Sequence, residues 1–509
     1  MKHVVFIGGG FSSLCLAALM VKDGRYKVSV VERSGRIGGY AQELNFGGYR
    51  FPMGPRYLWD FGPGDPALRF FEELGILQSD DFHTFDPAGF DEVFIGKDLA
   101  IKVPMGWDAY QCRLEEEFPR EREGICRFFE SCRKIDQIFR CLIAENVDYR
   151  GYGSIPQALW HIGSPFVSAA TILTTAGKTL QSEFYRCNLS ARLQTILSAH
   201  LAIVCEVPKD VSLVGYAVAT LNYHRGSYYP KKNIESMVAG LIEFIKSRGG
   251  HFHLNSTVTA IKEENNSATH VKLGSDVIDG DIFVSNIDPS ETYRIVFPNV
   301  RSVGSPKYTR SNSLLSHFMG CEIESTTKFP FGRNQKWIIE SDKTLQKSIF
   351  DNKSNTDRMI PEYLYVNSPS ACAISDAGCG PNKQSATVTA FAPGSAAFWK
   401  TLSRTERSDY REQKKEAIEE AIAKCVWSDL RRSVKVSELI TPSDYENQLG
   451  APEGHIYGRR FCPRDLFIDR VPFQSKLANL YFCSAFTNQP GLASCIRGAE
   501  YLYKILSKP

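Results

Sequence analysis

The sequence predicts an α/β fold built on a Rossmann-like nucleotide-binding unit, and three features of its first forty residues predict it. A strand, Val4-Val5-Phe6-Ile7, runs directly into a glycine turn, Gly8-Gly9-Gly10. A helix follows from about Phe11 to Lys22. A second strand, Lys27 to Val31, then ends on the carboxylate of Glu32. That order is the βαβ unit of nucleotide-binding proteins.

Each part has its own physical reason. Glycine at positions 8 and 10 lets the backbone turn tightly and approach a pyrophosphate. The helix opening with Phe11, Ser12 and Ser13 points its partly positive N-terminus at that charge. Ser13 stands where the fingerprint has its third glycine and is small enough for close helix–strand packing. Glu32, about twenty residues after the turn, is placed to accept hydrogen bonds from ribose hydroxyls.

Glu32 is followed by Arg33-Ser34-Gly35-Arg36-Ile37-Gly38-Gly39-Tyr40, then by Gly47-Gly48-Tyr49-Arg50-Phe51-Pro52-Met53-Gly54-Pro55. This resembles the extended fingerprint of FAD-dependent amine oxidases and phytoene desaturases. The resemblance implies that Arg33, Arg36, Gly38, Gly39 and Tyr40 wrap the cofactor's phosphates, and that Gly54 and Pro55 lie near its flavin. Pro52 stands where those families usually carry an acidic residue. Gly47 and Gly48 read equally well as turn residues between two strands.

The chain's 509 residues suffice for two or three subdomains, and 43% hydrophobic with 23% charged residues is ordinary for a globular protein. A net charge of +3 without a dense basic run argues against nucleic acid as a partner. Glycine breaks the first strand at once, so no secretory signal is expected, and no segment has the apolar length of a membrane span. The fourteen cysteines are scattered without paired spacing. They read as buried reduced thiols of a cytoplasmic protein. His251 and His253 share a strand face but have no third ligand nearby, so no metal site is expected.

From Trp107 to about Arg140 the pattern is helical, broken at Phe118-Pro119. From Gly151 to Gly177 there is no Asp, Glu, Lys or Arg, while Leu159, Trp160 and Ile172 recur. Two readings stand for that stretch: a lipophilic channel or membrane-surface element, or a buried helical pair. Gly226-Ser227-Tyr228-Tyr229-Pro230 then precedes an amphipathic helix from Ile234 to Arg248. Strands follow at His251–Leu254, at Val258–Glu263, and through Val271-Lys272-Leu273. The block ends in Val284-Ser285-Asn286-Ile287-Asp288-Pro289.

This block is similar to the part of phytoene desaturases that rebuilds the FAD domain. The resemblance implies adenine contact at Val258, with Asn286 at the sheet edge nearby. Lys232-Asn233 replaces the family's Gly-Gly. Residues 300 to 440 read as mixed strands and helices without an interpretable motif, and Gly378–Lys383 reads as a loop.

The C-terminal stretch runs through Glu453-Gly454-His455-Ile456-Tyr457-Gly458, then Asn479 to Gly491, to a closing helix from about Ser494 to Leu506. It resembles the end of phytoene desaturases, where a strand reaches the ribityl chain and a final helix is aimed at the flavin. Ser484 replaces the expected glycine and Ala485 stands beside it, so contact there is expected through backbone N–H groups.

The implied fold class is α/β: a discontinuous Rossmann-like FAD-binding domain with a mixed α+β substrate domain. Its FAD-binding parts are 1–95, 226–299 and 441–509. The substrate domain is 96–225, mainly helical, with 300–440, mixed sheet and helices. The resemblance implies an FAD-dependent oxidoreductase of the phytoene desaturase and carotenoid isomerase group, within the amine oxidase superfamily. It would move a hydride from an unactivated C–H of a lipophilic substrate to the flavin, with oxygen or a quinone as electron acceptor and peripheral membrane association as an option.

No acid–base dyad is visible in the sequence. Arg56, Tyr57, Tyr228 and Tyr229 fall in segments the family places near the flavin. Each is a candidate for substrate contact or, equally, for packing. Three other readings stay open: an amine or natural-product tailoring oxidase, an isomerase or saturase, and a flavin-fold protein without catalysis.

Overall fold

The computed structural model describes residues 1–96, 99–144, 174–297, 307–324, 329, 331–351, 353–354, 357–372, 385–467, 471–487 and 490–508. Strand β1 (Lys2–Ile7) leads through the glycine turn into helix α1 (Phe11–Asp23) and strand β2 (Tyr26–Val31). Both strands are buried over their last four residues. Such continuous burial is how a parallel strand covered on both faces reads. Helix α1 stops at Gly24, whose φ of 78° is left-handed.

The rest of this domain returns from distant stretches. Helix α2 (Ile234–Ser247) starts where the Asn233 side chain accepts from the Ser236 N–H at 2.8 Å. Strand β3 (His251–His253), strand β4 (Ile282–Ser285), strand β5 (Leu480–Phe482) and helix α3 (Leu492–Leu506) follow. The sheet order is β5-β4-β1-β2-β3, parallel throughout. Helix α1 packs against both α3 and α2, which explains why nearly all of it is buried. Chain segments hundreds of residues apart thus complete one doubly wound sheet.

A second, seven-stranded sheet carries the mixed domain. Its order is Val434–Ile440, Ser313–Glu322, Ser385–Gly394, Tyr363–Asn367, Gln335–Ile339, Asp91–Ile95 and Leu99–Val103. All neighbours are antiparallel except Gln335–Ile339 with Asp91–Ile95. The chain therefore joins this sheet at Asp91. One face is covered around Trp399, Ile418 and Ile422, and Tyr365, Phe391 and Leu314 look toward the first domain. Helices Trp107–Glu117, Arg122–Ala144, Leu180–Cys187, Ala191–Leu197 and Leu213–Arg225 form the adjoining helical block.

The break at Phe118-Pro119 is present as a short 3-10 turn. The strand expected from Val258 begins only at Ala260. The uncharged stretch Gly151–Gly177 lies outside the described residues as far as 173, including Leu159 and Ile172, and so does all of the loop Gly378–Lys383. Among the described residues no helix is long and apolar enough to cross a membrane, and the cysteines are free thiols.

One buried carboxyl makes stability depend on pH. Glu43 is 3% exposed, and burial, aided by the charge of Glu235, pushes its pKa from 4.5 to about 7. Folded above unfolded means its contribution is full below 4.5 and is lost as pH rises through 7. Glu43→Gln should therefore stabilise the protein at about pH 8 by roughly 1–3 kcal/mol and lose that advantage near about pH 5. Urea midpoints at the two pH values measure this, and equal differences at both would refute it.

Candidate functional site

A cavity of about 310 Å³ lies between the two sheets. At one end it meets the carboxyl edge of the five-stranded sheet, the place where open α/β sheets bind ligands. Gly8, Gly10, Phe11 and Ser12 form the wall there, with Glu32 and Gly38-Gly39-Tyr40 beside them, the Gly38 N–H donating to the Gly9 carbonyl at 2.8 Å. Gly8 has a φ of 95°. At Gly10 a Cβ would stand 2.1 Å from Asn286 Oδ1, so only glycine fits. Asn286, also on the wall, donates to the Cys483 carbonyl at 2.5 Å and ties the ends of β4 and β5 together.

Glu32 is organised from within. Its Oε2 accepts from the Gly9 N–H at 2.8 Å and its Oε1 from the Ser34 N–H at 2.9 Å. A carboxylate has about four acceptor positions, so two remain for a ligand's hydroxyls. The helix α1 N-terminus at Gly10 and the helix α3 N-terminus at Gly491 both open on the cavity, and neither has a side-chain cap. Each offers free backbone N–H groups and a partial positive charge.

Ser484 and Ala485 border the same wall, and Gly54 passes so close to Tyr40 that a Cβ would meet its carbonyl oxygen at 2.5 Å. These features suit a dinucleotide: an anion at α1, a ribose at Glu32, and a polar ring edge at α3.

The other end is aromatic. Tyr57 stacks on Tyr223 with centroids 4.4 Å apart, and Tyr365 stacks on Phe391 at 5.5 Å. Tyr457 and Pro55 complete this part of the wall. Burial raises the phenols of Tyr57, Tyr365 and Tyr457 well above their ordinary pKa, so they stay neutral. The Tyr57 hydroxyl donates to Asp91 Oδ2 at 3.5 Å, and the Tyr365 hydroxyl to Gln335 Oε1 at 2.6 Å. Asp91 is itself hydrogen-bonded to His200 Nε2.

Arg56 is 4% exposed and lies on the wall over the Phe391 ring. His455 also borders the cavity, and burial lowers its imidazole to about 4. Burial pushes the neighbouring Asp288 carboxyl up. Arg310, Ser290 and Tyr308 more than offset that and leave it below its ordinary range.

Several expected residues stand elsewhere. Ser13 is fully buried in the first turn of α1, its Oγ without a partner among the described residues. Arg33 donates to the Asn447 carbonyl at 2.8 Å. Arg36 pairs with Glu235 at 3.1 Å, over a neighbouring shallow depression. Val258 is half-buried against the far face of the sheet. Tyr228 exchanges backbone hydrogen bonds with Leu58, and Tyr229 is buried behind the wall. Ser494 is buried between Ala493 and Cys495, which border the cavity. Tyr223, Tyr365, Phe391 and Gln448–Ala451 are wall residues that sequence reasoning did not single out. His455 and Tyr457 belong to Glu453–Gly458, which the sequence presents only as a turn.

Comparison with known proteins agrees with this geometry. Residues 7–74 match the NAD(P)-binding Rossmann-like domain family. A 4,4'-diapophytoene desaturase (4,4'-diapolycopene-forming) of Methylomonas sp. is 24% identical over 524 residues, covering 100% of this chain and 95% of the relative. A Danio rerio all-trans-retinol 13,14-reductase is 23% identical, covering 97% of this chain and 84% of its own. Among solved structures, putrescine oxidase bound to putrescine shares the fold with a TM-score of 0.62 at 13% identity, covering 100% of this chain and 99% of that one. An oxidoreductase from Methanosarcina mazei also has a TM-score of 0.62, at 14% identity over 99% of this chain and 100% of its own. Full-length similarity to carotenoid desaturases thus accompanies a Rossmann-like sheet rebuilt from three separated segments, and the fold is the one that putrescine oxidase shares.

Proposed function

We propose that the chain binds FAD non-covalently and uses it to dehydrogenate a largely apolar substrate. The observation that carries this reading is a single cavity running from two uncapped helix N-termini into an aromatic chamber. FAD, when bound, supplies the hydride acceptor for a C–H bond that no side chain could oxidise.

The residues divide the remaining work. Gly10 and the first turn of α1 hold the pyrophosphate, Glu32 the ribose, and the first turn of α3 the polar edge of the flavin. Gly8, Phe11, Ser12, Gly38, Gly39, Tyr40, Gly54, Pro55, Asn286, Ser484 and Ala485 border the same cavity and share in that role. Tyr57, Tyr223, Tyr365 and Phe391 position an apolar substrate and exclude water. Holding the reacting carbon in one place supplies much of the acceleration in such chemistry. Electrons then pass to oxygen or a quinone. The division of the chain at about 96, 226, 300 and 441 belongs to the same reading.

An aromatic cage also suits an amine oxidase, but Arg56 argues against that substrate. A fixed cation on the wall repels an ammonium group in a low-dielectric cavity.

Denaturing the purified yellow protein should release stoichiometric FAD. Glu32→Ala should weaken FAD binding by about 10–100-fold, because hydrogen bonds to a charged group contribute roughly 1.5–3 kcal/mol. A colourless protein that does not take up added FAD, or a Glu32→Ala protein with unchanged affinity, would sink this reading.

A further inference from the structure

Among the described residues Arg56 is a cation without a counter-ion. One Nη1 donates to the carbonyls of Pro52 and Pro55, and Nη2 donates to that of Met53 at 3.1 Å. The Nε–H is buried and has no acceptor. The guanidinium lies 4.3 Å from the centroid of Phe391 and 5.9 Å from that of Phe318. After burial, the largest influences on its charge are four tyrosines, Tyr365, Tyr445, Tyr229 and Tyr457. Burial accordingly pulls it down to about 10.

The other charged groups on the wall do not balance it. Glu32 is held by Gly9 and Ser34 at the glycine turn. Asp288 is paired with Arg310. His455 is neutral, because burial lowers its imidazole to about 4. Among the described residues Arg56 is thus the one cation-bearing side chain on the cavity wall. Three of its five N–H donors are claimed by carbonyls, leaving the Nε–H and one on Nη2. A guanidinium with two unclaimed donors is matched by a carboxylate, which takes both oxygens to adjacent N–H groups. Buried charges in folded proteins are paired. Here the described residues supply no carboxylate partner.

We propose that the substrate is a lipophilic acid, whose carboxylate meets Arg56 while its apolar chain lies against the Tyr57–Tyr223 and Tyr365–Phe391 pairs. The proposal rests on the flavin reading above and adds the chemical class of the substrate. Stacked neutral phenols take the apolar body, and the guanidinium fixes one end of it. The same cation explains why the chamber would select among hydrophobic molecules that differ only in their head group: an ester or alcohol leaves Arg56 as uncompensated as it is now.

The test uses the purified FAD-containing protein and three fluorescent probes: cis-parinaric acid, its methyl ester and its alcohol. The acid should bind at least about tenfold more tightly than the other two, the ratio a charge-assisted hydrogen bond supplies. Arg56→Met should erase that preference, and Arg56→Lys should retain part of it. Equal binding of acid and ester to the unmodified protein overturns the proposal without any variant. An Arg56→Met protein that keeps the preference also overturns it. So does one that keeps the preference and shifts the flavin's midpoint potential, for the cation would then serve the cofactor ring. A protein without FAD would sink the flavin reading instead, while the acid–ester comparison still decides the role of Arg56.

Discussion

Replacing Gly10 by alanine is expected to cost the protein its tight FAD binding, with at least about a tenfold rise in Kd. The new Cβ would stand 2.1 Å from Asn286 Oδ1 and 3.2 Å from its Cγ. Asn286 cannot simply rotate away, because its amide holds the Cys483 carbonyl at 2.5 Å. Either the tie between the ends of β4 and β5 breaks or the N-terminus of α1 backs away from the cavity. Overpacking of this kind costs about 1–3 kcal/mol, and here it falls on the wall where a pyrophosphate would approach the backbone. Titrating the apo-protein with FAD by flavin fluorescence measures the effect. A Gly10→Ala protein within about twofold of the native affinity would mean that the α1 N-terminus does not hold the phosphates.

That residue also shows what the sequence made legible. Gly8, Gly10 and Glu32 form one local βαβ unit, so their spacing alone places them together, and the cavity wall contains all three. Arg56 and Tyr57 were within reach because they follow Gly54-Pro55 directly. The aromatic chamber was not. Tyr223 comes from a helix end, Tyr365 and Phe391 from two strands of the seven-stranded sheet, and Tyr457 from a turn. Ser313–Glu322 and Ser385–Gly394 are buried on both faces, so even the alternation of Ser385, Thr387 and Thr389 with Ala386, Val388 and Ala390 does not tell which face meets the cavity. Arg33 and Val258 illustrate the opposite limit. A motif fixes the backbone path, but the Asn447 carbonyl and the packing of Val5 and Ile7 decide where those side chains end.

The second large effect is expected at Asp91, which no local pattern announces because its partner, His200, is 109 residues away. Asp91 is fully buried, His200 is 3% exposed, and the two are hydrogen-bonded where Asp91–Ile95 meets the turn Ala199–Ile203. Burial pushes the Asp91 carboxyl up, and His200 and Tyr57 pull it back. The Trp337 ring lies 5.2 Å from that of His200, which closes the pair off from water. Asp91→Ala would strand the imidazole and the Tyr57 hydroxyl in that dry space.

Removing one member of a buried pair costs about 3–5 kcal/mol. Asp91→Asn keeps the shape and one acceptor, so it should cost less, about 1–3 kcal/mol. Urea unfolding of the two variants beside the native protein separates these values. Tyr57 stands on the cavity wall and Asp91 behind it, so Asp91→Ala should also loosen the Tyr57–Tyr223 stack and weaken apolar-ligand binding more than FAD binding. Equal and small losses of stability in both variants, below about 1 kcal/mol, would show that the pair is not what joins the helical block to the seven-stranded sheet.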